Sequence, residues 1–570
     1  MKIDFRQLLE AARGKVRVDL LLKGGNLVNV ISGEIYEEDV AIHNGYIVGY
    51  GNYNAKKVIN LKGQYICPGF IDGHVHIESS MVTIPEFARA VVPCGVTSVI
   101  TDAHEIANVL GIDGIRYMLE SSKYQPLNVF FMMPSCVPAT DLETSGAKLT
   151  GFDLYPFLSE RWVVGLGEVM DYPGLVGGEE TLIDKIKITT KRIDGHAPGL
   201  LGKNLSAYVA CGVASDHEST TIDEAREKLR KGMYVMVREG TGARNLSALI
   251  PLVNKNNYRN FIFVTDDRHP QDLLQEGSIN FLIKKSIKEG LDPITAIRIA
   301  TFNTATYFNL ARIGAVSPGY EADIVVIDNF RDFNVKMVFR KGELIARDGR
   351  FTGKKISNPV QVRGSINVRW LEEKDFVIPA DKIRKKARVI EIVPDQIITR
   401  QLFLNYSEKA RGVVSDVKND ILKLVIVERH KASGSIGRGL VKGFGLKSGA
   451  IASSVAHDSH NIICVGVDDK SIFNACVEIV KMGGGLCVAR GSKILGKLSL
   501  PIGGLMSDKP LQMVHQELNH LIGITRNLGC KLADPFIQLS FLALPVIPEL
   551  KLTDKGLVDV KKFKKVDLFM

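Results

Sequence analysis

The chain has 570 residues, 45% apolar and 24% charged, with 53 glycines spread along its length. At about 150 residues per domain this is enough for three or four domains, and the composition excludes a peptide-sized module, a disordered segment and a fibrous repeat. The net charge of +10 comes from 73 basic and 63 acidic residues. It gathers into no block of about five or six like charges, so nucleic acid is not an expected partner.

Eight cysteines form no C-x-x-C pair, which excludes a zinc knuckle or a redox motif and reads as buried, reduced thiols. No apolar run of about 18 residues occurs and no export signal is recognised, so neither a membrane span nor secretion is expected, and the compartment reads as cytoplasmic.

From Val16 to Leu61 the texture is short and strand-like, with Asp19-Leu20-Leu21-Leu22, Asn26 to Val30, Asp39 to Ile42 and Tyr46 to Gly49 separated by turn residues. It returns after Ile313, in Asp323 to Asp328 and Lys336 to Glu343. The two pieces, residues 1–65 and 312–357, are expected to complete one composite β-sandwich around an inserted domain.

Residues 66–311 alternate apolar β-rich runs with helical stretches, the pattern of parallel strands joined by crossover helices. Eight runs are read: Cys67 to Ile71, Val96 to Thr101, Asn128 to Met133, Trp162 to Gly167, a weakly apolar one before Gly195, Val209 to Ser215, Tyr234 to Val237 and Phe261 to Thr265. The expectation is an α/β fold with a (β/α)8 TIM-like barrel, and an open doubly wound sheet is the alternative. Residues 358–570 read as a further α+β domain, with strands at Arg388 to Val393, Ile421 to Val427 and Ile462 to Val467. One helix begins near Lys470 and another carries Leu511, Val514, Leu518, Leu521 and Ile522.

The chemistry begins in Pro68-Gly69-Phe70-Ile71-Asp72-Gly73-His74-Val75-His76. Side chains two apart on a strand share a face, so His74 and His76 present two imidazoles to one point. Glu168 then follows the fourth run, His196 the fifth, His217 the sixth and Asp266 the eighth. Barrel strands all end on one rim, so six ligand-type side chains share one mouth. Four histidines and two carboxylates suit two divalent ions such as zinc, iron or manganese, with Glu168 free to bridge them. A water whose pKa the metals lower is then the nucleophile, and Asp266 accepts its proton and returns it to the leaving group. The implied reaction is hydrolytic attack on an sp2 carbon.

These residues resemble the amidohydrolase superfamily. The stretches His74 to Met81, Thr101 to Val109, Ser215 to Glu218, Arg238 to Gly242 and Thr265 to Arg268 are similar to the adenine deaminases of bacterial and archaeal type, and so is Ala456-His457-Asp458-Ser459-His460-Asn461 near the end. The resemblance implies adenine plus water giving hypoxanthine plus ammonia in purine salvage, two divalent ions with Mn2+ or Fe2+ foremost and Zn2+ accepted, and a homodimer. A binuclear cyclic-amide hydrolase of the hydantoinase or dihydroorotase kind is the alternative, weakened because Glu168 stands where those enzymes carry a carboxylated lysine.

For substrate contacts the rim offers His104, Glu105, Glu218, Glu239 and Asp267, with Ser135 and His269 as further candidates. Each is equally able to orient a ligating histidine. His457 and His460 are read as capping side chains of a turn, with a third metal site or a lip over the cleft as alternatives. Gly483-Gly484-Gly485 lacks the residues of a phosphate loop and reads as a tight turn.

Overall fold

The computed structural model describes residues 4–354, 356–358, 362, 364–381, 383–384, 386–394, 396–409 and 412–570. Hydrogen bonding joins the two β-rich pieces into one nine-stranded sheet. Its junction is Tyr65–Pro68 running antiparallel to Ile324–Ile327, with Ile66 opposite Val326 and Pro68 opposite Ile324. The alternation of strand Val18–Asn29 sorts its side chains. Leu20 and Leu22 join Ile324, Val326 and Phe339 in one apolar cluster, while Leu21 packs on the other face against Ala11 of helix Phe5–Ala12.

Eight parallel strands follow: β1 (Phe70–His76), β2 (Val96–Asp102), β3 (Asn128–Met133), β4 (Val163–Val169), β5 (Arg192–Gly195), β6 (Ser215–Asp216), β7 (Tyr234–Arg238) and β8 (Phe261–Val264, resumed at Asp266–Asp267). Ladders join β1 to β5 and β6 to β8. The ring closes where Asp266 and Asp267 pair with Val75 and His76, and where Ala214 N–H donates to Ile193 O at 2.9 Å. Side chains alternate across the barrel wall. Ile71, Ile100, Met132, Met236, Ile262 and Val264 fill the interior, and Val75, Val99, Phe131, Val235, Val237 and Phe263 pack outward into the helical layer.

The expected strand from Val209 to Ser215 is corrected. Gly202–Ala210 is a helix that buries Leu205 and Tyr208, Gly212 turns the chain at φ +95°, and only Ser215–Asp216 pairs as strand. The run holds too few consecutive apolar residues to separate a helix end from a strand start. The weak fifth strand starts later than its run, at Arg192, and its register on β4 breaks between Ile193 and Gly195.

The last part builds an eight-stranded sheet whose centre is Ile436–Lys442, Ile421–Val427, Ile462–Gly466 and Ala450–Ser453. Helix Asp469–Lys481 covers one face through Ile472, Ala475, Cys476 and Ile479. Helix Leu511–Asn527 packs on the strands Lys493–Ser499 and Gly485–Arg490 at one end of the sheet. The loop from Ser454 to Asn461, between two of these strands, reaches the mouth of the barrel. Among the described residues no helix is long and apolar enough to cross a membrane.

Candidate metal centre

Strand β1 brings His74 and His76 inward because Val75 between them is committed to the outer layer. Asp72 ties this strand end to β8, accepting from Thr265 N–H at 3.0 Å and Thr265 Oγ at 2.5 Å. Gly73 sits where a Cβ would lie 2.4 Å from Ile262, so only glycine permits this approach. His76 Nδ1 donates to Asp102 O at 3.1 Å, which leaves its Nε2 lone pair facing the barrel axis.

The six expected ligand-type residues meet at one point, all buried. Glu168 Oε1 stands 3.6 Å from His74 Nε2 and 3.2 Å from His76 Nε2, and its Oε2 stands 2.8 Å from His196 Nδ1 and 3.2 Å from His217 Nε2. Asp266 Oδ1 lies 3.5 Å from His74 Nε2 and 3.2 Å from His76 Nε2. One carboxylate therefore faces a pair of histidines with each oxygen.

Nitrogens within a pair also approach closely: His74 Nε2 is 3.0 Å from His76 Nε2 and His196 Nδ1 is 3.3 Å from His217 Nε2. Nitrogens this close share either a ring proton or a cation. Ligand lengths near 2.0 to 2.2 Å separate neighbouring donors by roughly 3.0 to 3.6 Å. The residues therefore fit a pair of first-row divalent ions.

Electrostatics agree with that reading. Burial raises the Glu168 carboxyl, but His217, His196 and His76 more than reverse this and hold it well below the usual carboxylate range. Asp266 behaves alike: burial raises it, and Arg238, His74 and His76 hold it well below normal. Asp266 also sits at φ 55°, a left-handed conformation rare outside glycine and common at working sites.

Arg238 is the residue that the sequence reading did not single out. It donates to Asp266 Oδ2 and forks onto Glu218, at 2.5 Å to Oε1 and 3.0 Å to Oε2. The strand alternation carried the signal. Val235 and Val237 face outward, so Met236 and Arg238 face inward, and an arginine inside a barrel requires acidic partners.

The substrate candidates separate by placement. His104, Glu105, Glu218 and Asp267 line the cavity above the six residues. Glu239 does not: its carboxylate accepts from Leu246 N–H at 3.1 Å and pairs with Lys285 at 3.0 Å, behind the wall. Ser135 donates to Glu168 O at 2.5 Å, and His269 pairs with Asp534 at 2.8 Å, both away from the cavity lining. His460 caps its own turn, accepting from Ala456 N–H at 3.2 Å, but both histidines also reach beyond the turn, as a lip over the cleft would. His457 Nδ1 lies 2.8 Å from Glu105 Oε1, and His460 Nε2 bonds Glu105 Oε2. The rest of the lining is partly apolar, with Ile397, Phe541, Leu544 and Ile547, and Phe541 stacks on His457 with ring centroids 4.4 Å apart.

Residues 65–345 match the amidohydrolase family and residues 396–564 match the adenine deaminase C-terminal domain. An adenine deaminase of Desulfatibacillum aliphaticivorans is 49% identical over 99% of each chain. Adenine deaminase 2 of Carboxydothermus hydrogenoformans is 49% identical over 98% of this chain and 99% of its own. The chain belongs to the adenine deaminase family. A third relative, the adenine deaminase of Methanothrix thermoacetophila, is 48% identical over the full length of both chains, so similarity to the family includes the final sheet and the loop that reaches the barrel.

Proposed function

We propose that this protein is an enzyme that hydrolyses adenine to hypoxanthine and ammonia, in purine salvage. The observation that carries the reading is Glu168 set between two histidine pairs at a barrel mouth, in a chain similar over its whole length to adenine deaminases. His74, His76 and Asp266 would hold one divalent ion, His196 and His217 the other, and Glu168 would bridge. When bound, the ions supply Lewis acidity that makes water a nucleophile near neutral pH. Manganese or iron suits the mixed N/O set, and zinc is accepted.

The remaining work belongs to side chains. Asp266 takes a proton from the attacking water and delivers it to the departing amino group. The oxygen stays on the ring carbon, the second water proton ends on the ring nitrogen, and ammonia leaves. Arg238 keeps Asp266 ionised and fixes Glu218 at the rim. His104, Glu218 and Asp267 contact the base, Glu105 does so from beneath the His457 loop, and Glu239 supports the wall from behind. The division into 1–65 with 312–357, 66–311 and 358–570, the homodimer and the cytoplasmic location belong to the same proposal.

The test is turnover by absorbance and ammonia release, after reconstitution with manganese, iron or zinc separately and with hydantoin and dihydroorotate as controls. Hypoxanthine from adenine alone supports the reading. Folded, metal-loaded protein that opens the cyclic amides and leaves adenine untouched contradicts it.

A further inference from the structure

The loop Ala456 to Asn461 comes from the last sheet and is clamped over the barrel mouth. His457 and His460 hold Glu105, Asn461 Nδ2 donates to Thr144 O at 2.8 Å, and His457 N–H donates to Ser540 O at 3.2 Å. His460 Nδ1 accepts from Ala456 N–H at 3.2 Å, so Nε2 carries the proton. That tautomer makes His460 a donor to Glu105 and removes it as a metal ligand. The loop is thus a clamp, and the residue that it delivers is Asp458.

Asp458 lines the cavity, is 2% exposed, and among the described residues its Oδ2 has no hydrogen-bond partner. The nearest cationic group, His104 Nε2, is 3.8 Å from Oδ2, too far to bond. A buried carboxyl oxygen without a donor is costly, and Asp458 lines the space that a base would enter. The cavity also carries the apolar side chains of Leu544 and of Phe541, which stacks on His457 with ring centroids 4.4 Å apart, so an aromatic base that enters meets apolar surface beside the clamp.

We infer that Asp458 is a specificity-determining residue, which accepts the imidazole-ring N–H of a free purine base and so selects the base over purines substituted at that nitrogen. The inference rests on the adenine reading and deepens it. Free adenine carries one such N–H, whereas a nucleoside, alkylated there, has none. A site built to bond a substrate N–H rejects the analogue that lacks it, because its own buried acceptor is then left unpaired.

The experiment compares adenine with 9-methyladenine in metal-loaded, full-length enzyme. Wild type is expected to favour adenine in kcat/KM by about tenfold to hundredfold or more. Asp458→Ala should lose that much on adenine, chiefly through KM, and shrink the preference to within about threefold. Asp458→Asn, which keeps an acceptor oxygen, should recover part of it. Melting temperature and metal content identify variants that fail to fold, and the wild-type comparison stands without them. The inference is overturned if wild type turns over 9-methyladenine as well as adenine, or if folded Asp458→Ala keeps the wild-type preference. Wild type inactive on both bases removes the deaminase reading, and this inference with it.

Discussion

Arg238 is buried between two carboxylates and answers both. Removing it would take the arginine from both Asp266 and Glu218 and break a buried charge network, a change that typically costs about 3–5 kcal/mol. Arg238→Met is therefore expected to lower the melting temperature and to cut kcat at least a hundredfold. Arg238→Lys, a single point charge without a fork, should restore only part of either. Equal kcat in wild type and Arg238→Met would contradict the role given to Asp266. Asp266→Asn should itself lower kcat by about 10²- to 10⁴-fold, the usual contribution of a positioned proton carrier. The convergence of His74, His76, Glu168 and Asp266 was legible because they end apolar runs and strand ends in a barrel share a rim, whereas His196 follows a weakly apolar run and His217 a run that is mostly helix, and the barrel pattern alone placed them. Arg238 opens one of the stretches that resemble the family but was given no role, because its neighbour Glu239 drew attention as the polar residue after the run. Only alternation along β7 tells which of the two faces inward.

The short strand β6 depends on help from the next helix. Lys228 of helix Ile222–Arg230 is fully buried and donates at 2.8 Å to each of Asp216, Glu224 and Ala197 O. Asp216 in turn accepts from Ala197 N–H at 2.9 Å and Ser219 N–H at 2.9 Å, fixing the loops that carry His196 and His217. Lys228→Met should cost about 3–5 kcal/mol in denaturant unfolding and reduce kcat/KM about tenfold. The wall over the cavity has its own anchor. Lys551 is buried and donates to Ile397 O at 2.8 Å and Phe541 O at 2.9 Å, and burial pushes its amine down to about 7. An unfolded lysine titrates near 10.4, so between about pH 7 and 10 the unfolded state binds more protons and stability rises with pH. Lys551→Met should flatten that rise in melts at pH 7 and about 9.5, and an unchanged slope would remove the assignment. The long strands and the amphipathic helices of the last sheet were legible from periodicity. Strand β6 was not, because two residues carry no period and its place is set by the Lys228 network.

At the scale of the whole molecule, the site is a joint product of parts far apart in sequence. The barrel supplies the six convergent side chains, and the last sheet supplies the loop that grips Glu105 and closes the mouth. That closure was legible only as an alternative, a lip over the cleft, behind the reading of a capped turn. His457-x-x-His460 has the look of a local turn, and its partner Glu105 lies more than 350 positions away. Four histidines, Glu168 and Asp266 are expected to bind two cations on which adenine hydrolysis depends. The most direct measurement is a titration of chelator-treated, folded apoenzyme with manganese, following adenine turnover and bound metal together. Activity should be absent at the start, rise with added metal and break at two equivalents per chain, with Glu168→Gln losing both the break and the turnover. Full activity in the metal-free protein, or a folded chain that binds two ions and leaves adenine unchanged, would contradict the account.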